Sequence, residues 1–287
     1  MINSFKNIFI ELRLHHWVKN LLVFAVLFFS KLFFDFEKLY LVILLFLSFS
    51  FLASSVYIIN DIVDVKKDKL HPVKKKRPIA SDKISINMVL FVCIILILLA
   101  VYLGTFLNLK TNLILILYFV LNLFYSFSLK KIPVVDISII SFMYFLRIKA
   151  GGEILNLELS HWLILVTVFL SLFMIIGKRR AEYRSLKNVN NETRVVLNKY
   201  NDIFLDHVLI IAVSGVVLTY SLYTVEINKP YLIYSSFFVF FGIFRYLYVI
   251  DTFHEGEAPE KLIFKDRWIL INGLIWAIYL FFVFYVV

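Results

Sequence analysis

Apolar positions along the chain come in long uninterrupted runs, and polar residues gather in the gaps between them. A helix that crosses a bilayer needs roughly 17–25 mostly apolar residues. That ruler predicts nine spans: Trp17–Phe34, Leu39–Ile59, Ile84–Leu107, Asn112–Leu129, Pro133–Ala150, His161–Gly177, Ile203–Val225, Tyr231–Ile250 and Trp268–Val287. Asn3–Leu14 is short and amphipathic, and reads as an interfacial helix leading into the first span. Only Lys130-Lys131-Ile132 separates spans four and five, which predicts a tight helical hairpin. No repeat stands out, so residues 1–287 are expected to form a single all-α transmembrane domain.

Composition agrees with a lipid solvent. Hydrophobic residues make up 61% of the chain, against about half for a soluble domain. Phe alone occurs 31 times. Lys6, Glu11, Arg13, His15, His16 and Lys19 interrupt the N-terminal pattern, which is therefore not read as a cleavable signal. The lone Cys93 lies within an apolar run and reads as a small buried side chain.

Charge sets the orientation. Of 30 Lys and Arg, 23 fall in the N-terminal segment and in the loops after spans two, four, six and eight. Six fall on the opposite side, and Arg245 lies inside span eight. The basic side is expected to be cytoplasmic. Topology and anionic lipid account for that bias, but not for the acids interleaved with it. No nucleic-acid partner is expected.

The loop after span two opens with Asn60, Asp61, Asp64 and Asp68. Steps of three and four place these side chains on one face if the helix continues. Carboxylates on one face repel one another, and Mg²⁺ with a substrate phosphate is one way to offset that. The alternative is a solvated helix end neutralised by Lys66, Lys67 and Lys69. Acids at a membrane boundary favour a functional site. Pro72 and Pro78 end the helix and leave His71, Lys74 and Arg77 on a loop able to fold back over a phosphate.

A second cluster, Lys178-Arg179-Arg180-Ala181-Glu182, ends span six. Lys178 and Glu182 are four apart, and a plain pairing along the helix explains them equally well. Trp17, Lys19, Asn20, Tyr125, Ser126, Ser128, Lys130, Asp136, Glu257, Glu260, Asp266 and Arg267 lie at the same membrane depth. Trp17 reads as an interface anchor. Asp136, just inside a span, calls for a cation, a partner or a water-filled cavity. Arg147 and Lys149 lie farther along span five, where snorkelling is the default account and a polar cavity the alternative.

Asn60-Asp61-x-x-Asp64-x-x-x-Asp68 resembles the first aspartate motif of the UbiA superfamily of intramembrane prenyltransferases. The resemblance implies a UbiA-type helical bundle of nine transmembrane helices with cytoplasmic cap loops, and Mg²⁺ at a pyrophosphate. Typical members carry a second DxxxD after span six, where this chain has Lys178–Glu182. That departure is similar to the decaprenyl-phosphate phosphoribosyltransferase branch. The branch shares the Trp17–Asn20 start of span one, the Asn60–Pro78 run, the KRxxE of Lys178–Glu182, and Gly256–Glu260 with Asp266-Arg267.

The resemblance implies transfer of 5-phosphoribose from phosphoribosyl pyrophosphate to a polyprenyl phosphate. It would occur at the cytoplasmic face of a bacterial plasma membrane. Asp61, Asp64 and Asp68 are the expected Mg²⁺ ligands and catalytic residues. Lys19, Asn20, Asn60, His71, Lys74, Arg77, Tyr125, Lys130, Asp136, Lys178, Arg179 and Glu182 are the expected substrate contacts. A donor with more anionic groups calls for more cations and fewer carboxylates, and Arg suits bidentate phosphate contact. Two other readings stand beside it. One is prenyl transfer to an aromatic acceptor, which the missing second DxxxD disfavours. The other is a transporter or lipid-binding protein, for which polar sites belong near the midplane at Gly or Pro breaks.

Overall fold

A computed structural model describes residues 2–70, 73–186, 196–252, 262 and 264–287. All regular structure among them is helical. The α-helices are α1 (Ile2–Leu12), α2 (Phe24–Phe29), α3 (Phe36–Leu70), α4 (Ile86–Gly104), α5 (Leu109–Phe127) and α6 (Val135–Leu155). They continue with α7 (His161–Leu186), α8 (Asp202–Glu226), α9 (Ser236–Thr252) and α10 (Arg267–Tyr285). Among the described residues, five starts carry side-chain caps: Asp35, Ser85, Asn108, Asn201 and Asp266 each accept from the amide three residues on.

Among the described residues, eight stretches are long and apolar enough to cross a membrane. The predicted fifth span is the 21-residue α6, which is not among the eight. Asp136, Arg147, Lys149 and Glu153 make it too charged to qualify on composition.

The chain divides into two compact units. The first is built chiefly from Met1–Ile139 and Leu146–Glu158. Its centre is α3, against which α1, α4, α5 and a 3-10 segment (Leu14–Val23) pack. At 35 residues α3 runs to about 52 Å. About 20 residues cross the hydrocarbon, so the last turns, with Asn60–Asp68, project beyond it. The helix does continue through the aspartate run, as their spacing requires.

The first span departs from expectation. Trp17–Phe34 is not one α-helix: α1 stops at Arg13, whose backbone is left-handed (φ 51°), and 3-10 structure follows. Three residues per turn put Trp17, Asn20 and Val23 on one line. Trp17 Nε1 donates to Ser54 Oγ at 3.0 Å, and Asn20 Nδ2 donates to Ser50 Oγ at 3.0 Å. Val23 is fully buried. The 3-10 winding thus matches the one-turn step on α3 with a three-residue step. Trp17 is a tie to α3 here, and its ring meets Phe46 and Phe51 edge-on. Beyond it α2 ends at Phe29 because Lys31 turns left-handed (φ 60°). Lys31 and Leu32 then donate back to the carbonyls of Phe28 and Leu27 in a Schellman close.

The second unit is built from Ile140–Phe145, Leu159–Asn190 and Leu197–Val287. Here α7 packs along α8, and α9 along α8 and α10. Arg ties stitch the helix ends. Arg180 donates to Asp206 Oδ1 at 2.5 Å and to Asp251; Arg184 donates to Asp251 at 3.1 Å. On α9, Arg245 forks onto both oxygens of Asp266 at 2.8–3.3 Å. That guanidinium, then the amide of Ile269, hold the Asp266 carboxyl below the usual carboxylate range. A depressed folded value means the contribution is whole above about 4, the unfolded value, and fades as pH falls through the folded one. The unfolding temperature of Asp266→Asn should therefore fall below that of wild type at pH 6, with the gap narrowing below pH about 4.

Candidate functional site

The first motif lies in the first unit. Asp61 and Asp68 are buried on one face of the projecting end of α3. Arg77, directly before Pro78, folds back onto the acids of α3. Its Nη1 donates to Asp61 Oδ1 at 2.9 Å and to Asp68 Oδ2 at 2.5 Å. The other Asp61 oxygen accepts from Arg13, which also lies 5.1 Å over the ring of Tyr57. Asp61's side chain is 1% exposed, while Arg13 and Arg77 are 16% and 25% exposed. Two guanidiniums therefore cover the acid and keep an open edge.

One turn on, Lys130 reaches α3 from the tight connection between α5 and α6. Its Nζ donates to Asn60 Oδ1 at 3.0 Å and to Asp64 Oδ2 at 2.6 Å. The motif thus carries two cationic clamps: Arg13 and Arg77 on Asp61 and Asp68, and Lys130 on Asn60 and Asp64. Lys66 and Lys67, the neutralising residues of the solvated-end alternative, are exposed; Lys69 pairs instead with Asp82 at 2.8 Å.

Other expected residues of this unit fall as follows. Lys19, Lys74 and Tyr125 are half-buried, and Asp136 is fully buried in the first turn of α6. Asn20 is buried and bonded to Ser50 and Arg147. His71 lies outside the described residues, as do Glu257 and Glu260. Arg147 does not snorkel: it is 5% exposed and held inside the unit. Lys149 pairs with Glu153 at 2.5 Å.

The second motif lies in the second unit, at the end of α7. Glu182 accepts from Arg179 at 2.9 Å, a step of three along the helix. Arg179 is buried and Lys178 half-buried. Arg180 turns to α8 and α9 through Asp206 and Asp251.

Sequence reading missed Arg13. Its signal was an arginine one 3-10 turn and more ahead of the Trp17–Asn20 run, among residues read only as polar interruptions. It also missed Asp206 and Asp251, whose partner is far away in sequence.

Magnesium-type ions take hard oxygen ligands, and Asp61, Asp64 and Asp68 with the Asn60 carbonyl supply that donor chemistry on one helix face. The oxygens are of the right kind, but among the described residues no three acidic, His or Cys side chains gather closely enough to hold an ion, and Arg13, Arg77 and Lys130 engage the carboxylates instead.

Comparison with known proteins agrees with these features. The UbiA prenyltransferase family profile matches residues 21–270, and the chain belongs to that family. A decaprenyl-phosphate phosphoribosyltransferase of Corynebacterium glutamicum is 33% identical over 276 residues, covering 93% of this chain and 83% of its own. One from Mycobacterium tuberculosis is 32% identical over 272 residues, covering 92% and 90%. In fold, a UbiA homologue from Archaeoglobus fulgidus bound to DMAPP and Mg2+ superposes with a TM-score of 0.72 at 20% identity, over 98% of this chain and 100% of that one. The chain is a multi-pass membrane protein.

Proposed function

We propose that this protein transfers a 5-phosphoribosyl group from phosphoribosyl pyrophosphate to a polyprenyl phosphate, releasing pyrophosphate. The carrying observation is the clothing of the first aspartate motif: Asp61 lies beneath Arg13 and Arg77, and Asp64 beside Lys130. A ligand arriving there meets cations fixed in place by buried acids. That suits a substrate rich in phosphate oxygens. The basic second motif, with Lys178 and Arg179 where relatives in prenyl transfer carry acids, extends the same charge balance. The names of the two actinobacterial relatives support the reading.

In this reading Asp61, Asp64 and Asp68 would hold Mg²⁺, which would neutralise pyrophosphate oxygens and stabilise the leaving group's charge. Arg77, Lys74 and Lys130 bind phosphate oxygens, and their fixed charges favour the departing pyrophosphate. Asn60 and Asp136 orient those cations or take ribose hydroxyls, and Glu182 holds Arg179. The bond from the anomeric carbon to the pyrophosphate oxygen breaks, and an oxygen of the lipid phosphate bonds to that carbon. The acceptor is already an anion, so no side chain has to remove a proton. In the same reading the basic face and the N-terminus face the cytoplasm of a bacterial cell, from the excess of Lys and Arg on that side.

The test supplies purified protein with labelled phosphoribosyl pyrophosphate, polyprenyl phosphate and Mg²⁺. Labelled lipid is the expected product. Absence of labelled lipid, with turnover of prenyl pyrophosphate and an aromatic acid instead, rejects the reading.

A further inference from the structure

A buried guanidinium is costly and calls for a reason. Arg147 sits about three turns into α6 and is buried within the first unit. Its Nε donates to Asn20 Oδ1 at 2.8 Å, and a terminal nitrogen donates to the Tyr118 hydroxyl at 3.0 Å. Its Cζ lies 4.9 Å from the Tyr118 ring centre and 5.8 Å from that of Phe49. Tyr118 and Phe49 meet edge-on, so the cation occupies a corner between two rings.

Asn20 is the far end of this arrangement. Its oxygen takes Arg147 and its nitrogen gives to Ser50, so one amide bridges α6 and α3. It stands in the 3-10 segment, directly after Lys19. One turn beyond Arg147, Gly151 brings the α6 backbone against Val23 at the segment's end. A Cβ added there would lie 2.5 Å from the Val23 carbonyl oxygen. The segment is therefore docked on α6 twice, by side chains at Asn20 and by backbone at Val23. A 3-10 segment makes poor internal hydrogen bonds, so such docking decides where its residues point.

We propose that Arg147 is a positioning residue: acting through Asn20, it sets the 3-10 segment so that Lys19 is presented to a phosphate of the substrate. The inference rests on reading Lys19 as a phosphate contact. It assigns Asn20 a bridging part in place of direct contact. The ligand chemistry is a pyrophosphate or phosphate-ester anion, from either the soluble donor or the lipid.

The experiment measures protection against thermal unfolding by Mg²⁺ with inorganic pyrophosphate, and in parallel by polyprenyl phosphate in nanodiscs. Variants are Lys19→Ala, Arg147→Gln, Asn20→Ala, Asn20→Asp and the Lys19→Ala/Arg147→Gln double. Arg147→Gln and Asn20→Ala should each weaken binding of one anion about tenfold. The double variant should bind no worse than Lys19→Ala, because the arginine acts through the lysine. Asn20→Asp should recover most of what Asn20→Ala loses, since a carboxylate still accepts from Arg147. The anion that shows this pattern is the one Lys19 meets. Additive losses, or Asn20→Asp binding worse than Asn20→Ala, overturn the proposal, the latter because a carboxylate facing phosphate would repel it. So does a lowered unfolding temperature with unchanged anion affinity, the mark of a purely structural arginine. Failure of phosphoribosyl transfer itself would appear in the labelled-lipid assay and leave this pyrophosphate pattern standing.

Discussion

Asp61→Asn should cut phosphoribosyl transfer by about 10³-fold, the scale of losing preorganised charge stabilisation, and should lower thermal stability at the same time. Both effects follow from one geometry. Asp61 is buried and bonded on one oxygen by Arg13 and on the other by Arg77. An asparagine keeps the shape but turns an NH2 toward one guanidinium, so one contact becomes a clash of donors. Two cations then share no anion, and their placement over the site relaxes. Asp64→Asn is a useful contrast. Asp64 is 20% exposed and tied to a single lysine, so its replacement should lower activity with little change in unfolding temperature. Initial rates of labelled-lipid formation and unfolding in detergent measure both. A rate for Asp61→Asn within tenfold of wild type would remove Asp61 from the mechanism.

Arg77→Ala should be the most destabilising change on the loop after α3. Arg77 is the common partner of Asp61 and Asp68, which are both nearly inaccessible. Removing one partner of a buried pair costs about 3–5 kcal/mol because a charge is stranded. Arg77 keeps an exposed edge, which places the loss toward the lower end of that range. Two like charges about two turns apart would also be left without their shared cation. Arg77→Lys should recover part of the stability, since an ammonium reaches one carboxylate well but lacks the planar fork that spans two. Donor KM should stay raised in the lysine variant, because bidentate phosphate contact is lost with the fork. Full recovery of both stability and KM by lysine would show that charge alone is needed at this position.

Local patterns made the first motif legible. Steps of three and four placed the aspartates on one face, and α3 does run on to Leu70. Two prolines foretold the return of Arg77. The helical hairpin before α6 foretold a short connection, and Lys130 on it reaches Asn60 and Asp64. Contacts between distant segments were beyond reach. Nothing periodic links Arg13 to Asp61, or Arg180 to Asp251, 71 residues away. The 3-10 form of Leu14–Val23 depends on where α3 presents Ser50 and Ser54, which is tertiary information. Arg147, nearer the far side of its span, had snorkelling as the default account and a polar cavity as the alternative; its partners come from α3, α5 and the 3-10 segment.

The lysine on the α5–α6 connection has a bearing on how the chain is made. Arg13 leaves the ribosome 48 residues before Asp61, whereas Lys130 follows Asp64 by 66. A nascent chain that ends before residue 130 already holds one half of the acidic motif compensated and the other half bare at the membrane boundary. Insertion of α4 and α5 must therefore finish before the end of α3 reaches its lowest energy. Stalled chains cut on either side of Lys130 should differ in how readily protease attacks the end of α3, which makes that lysine a checkpoint in biogenesis as well as a clamp in the finished protein.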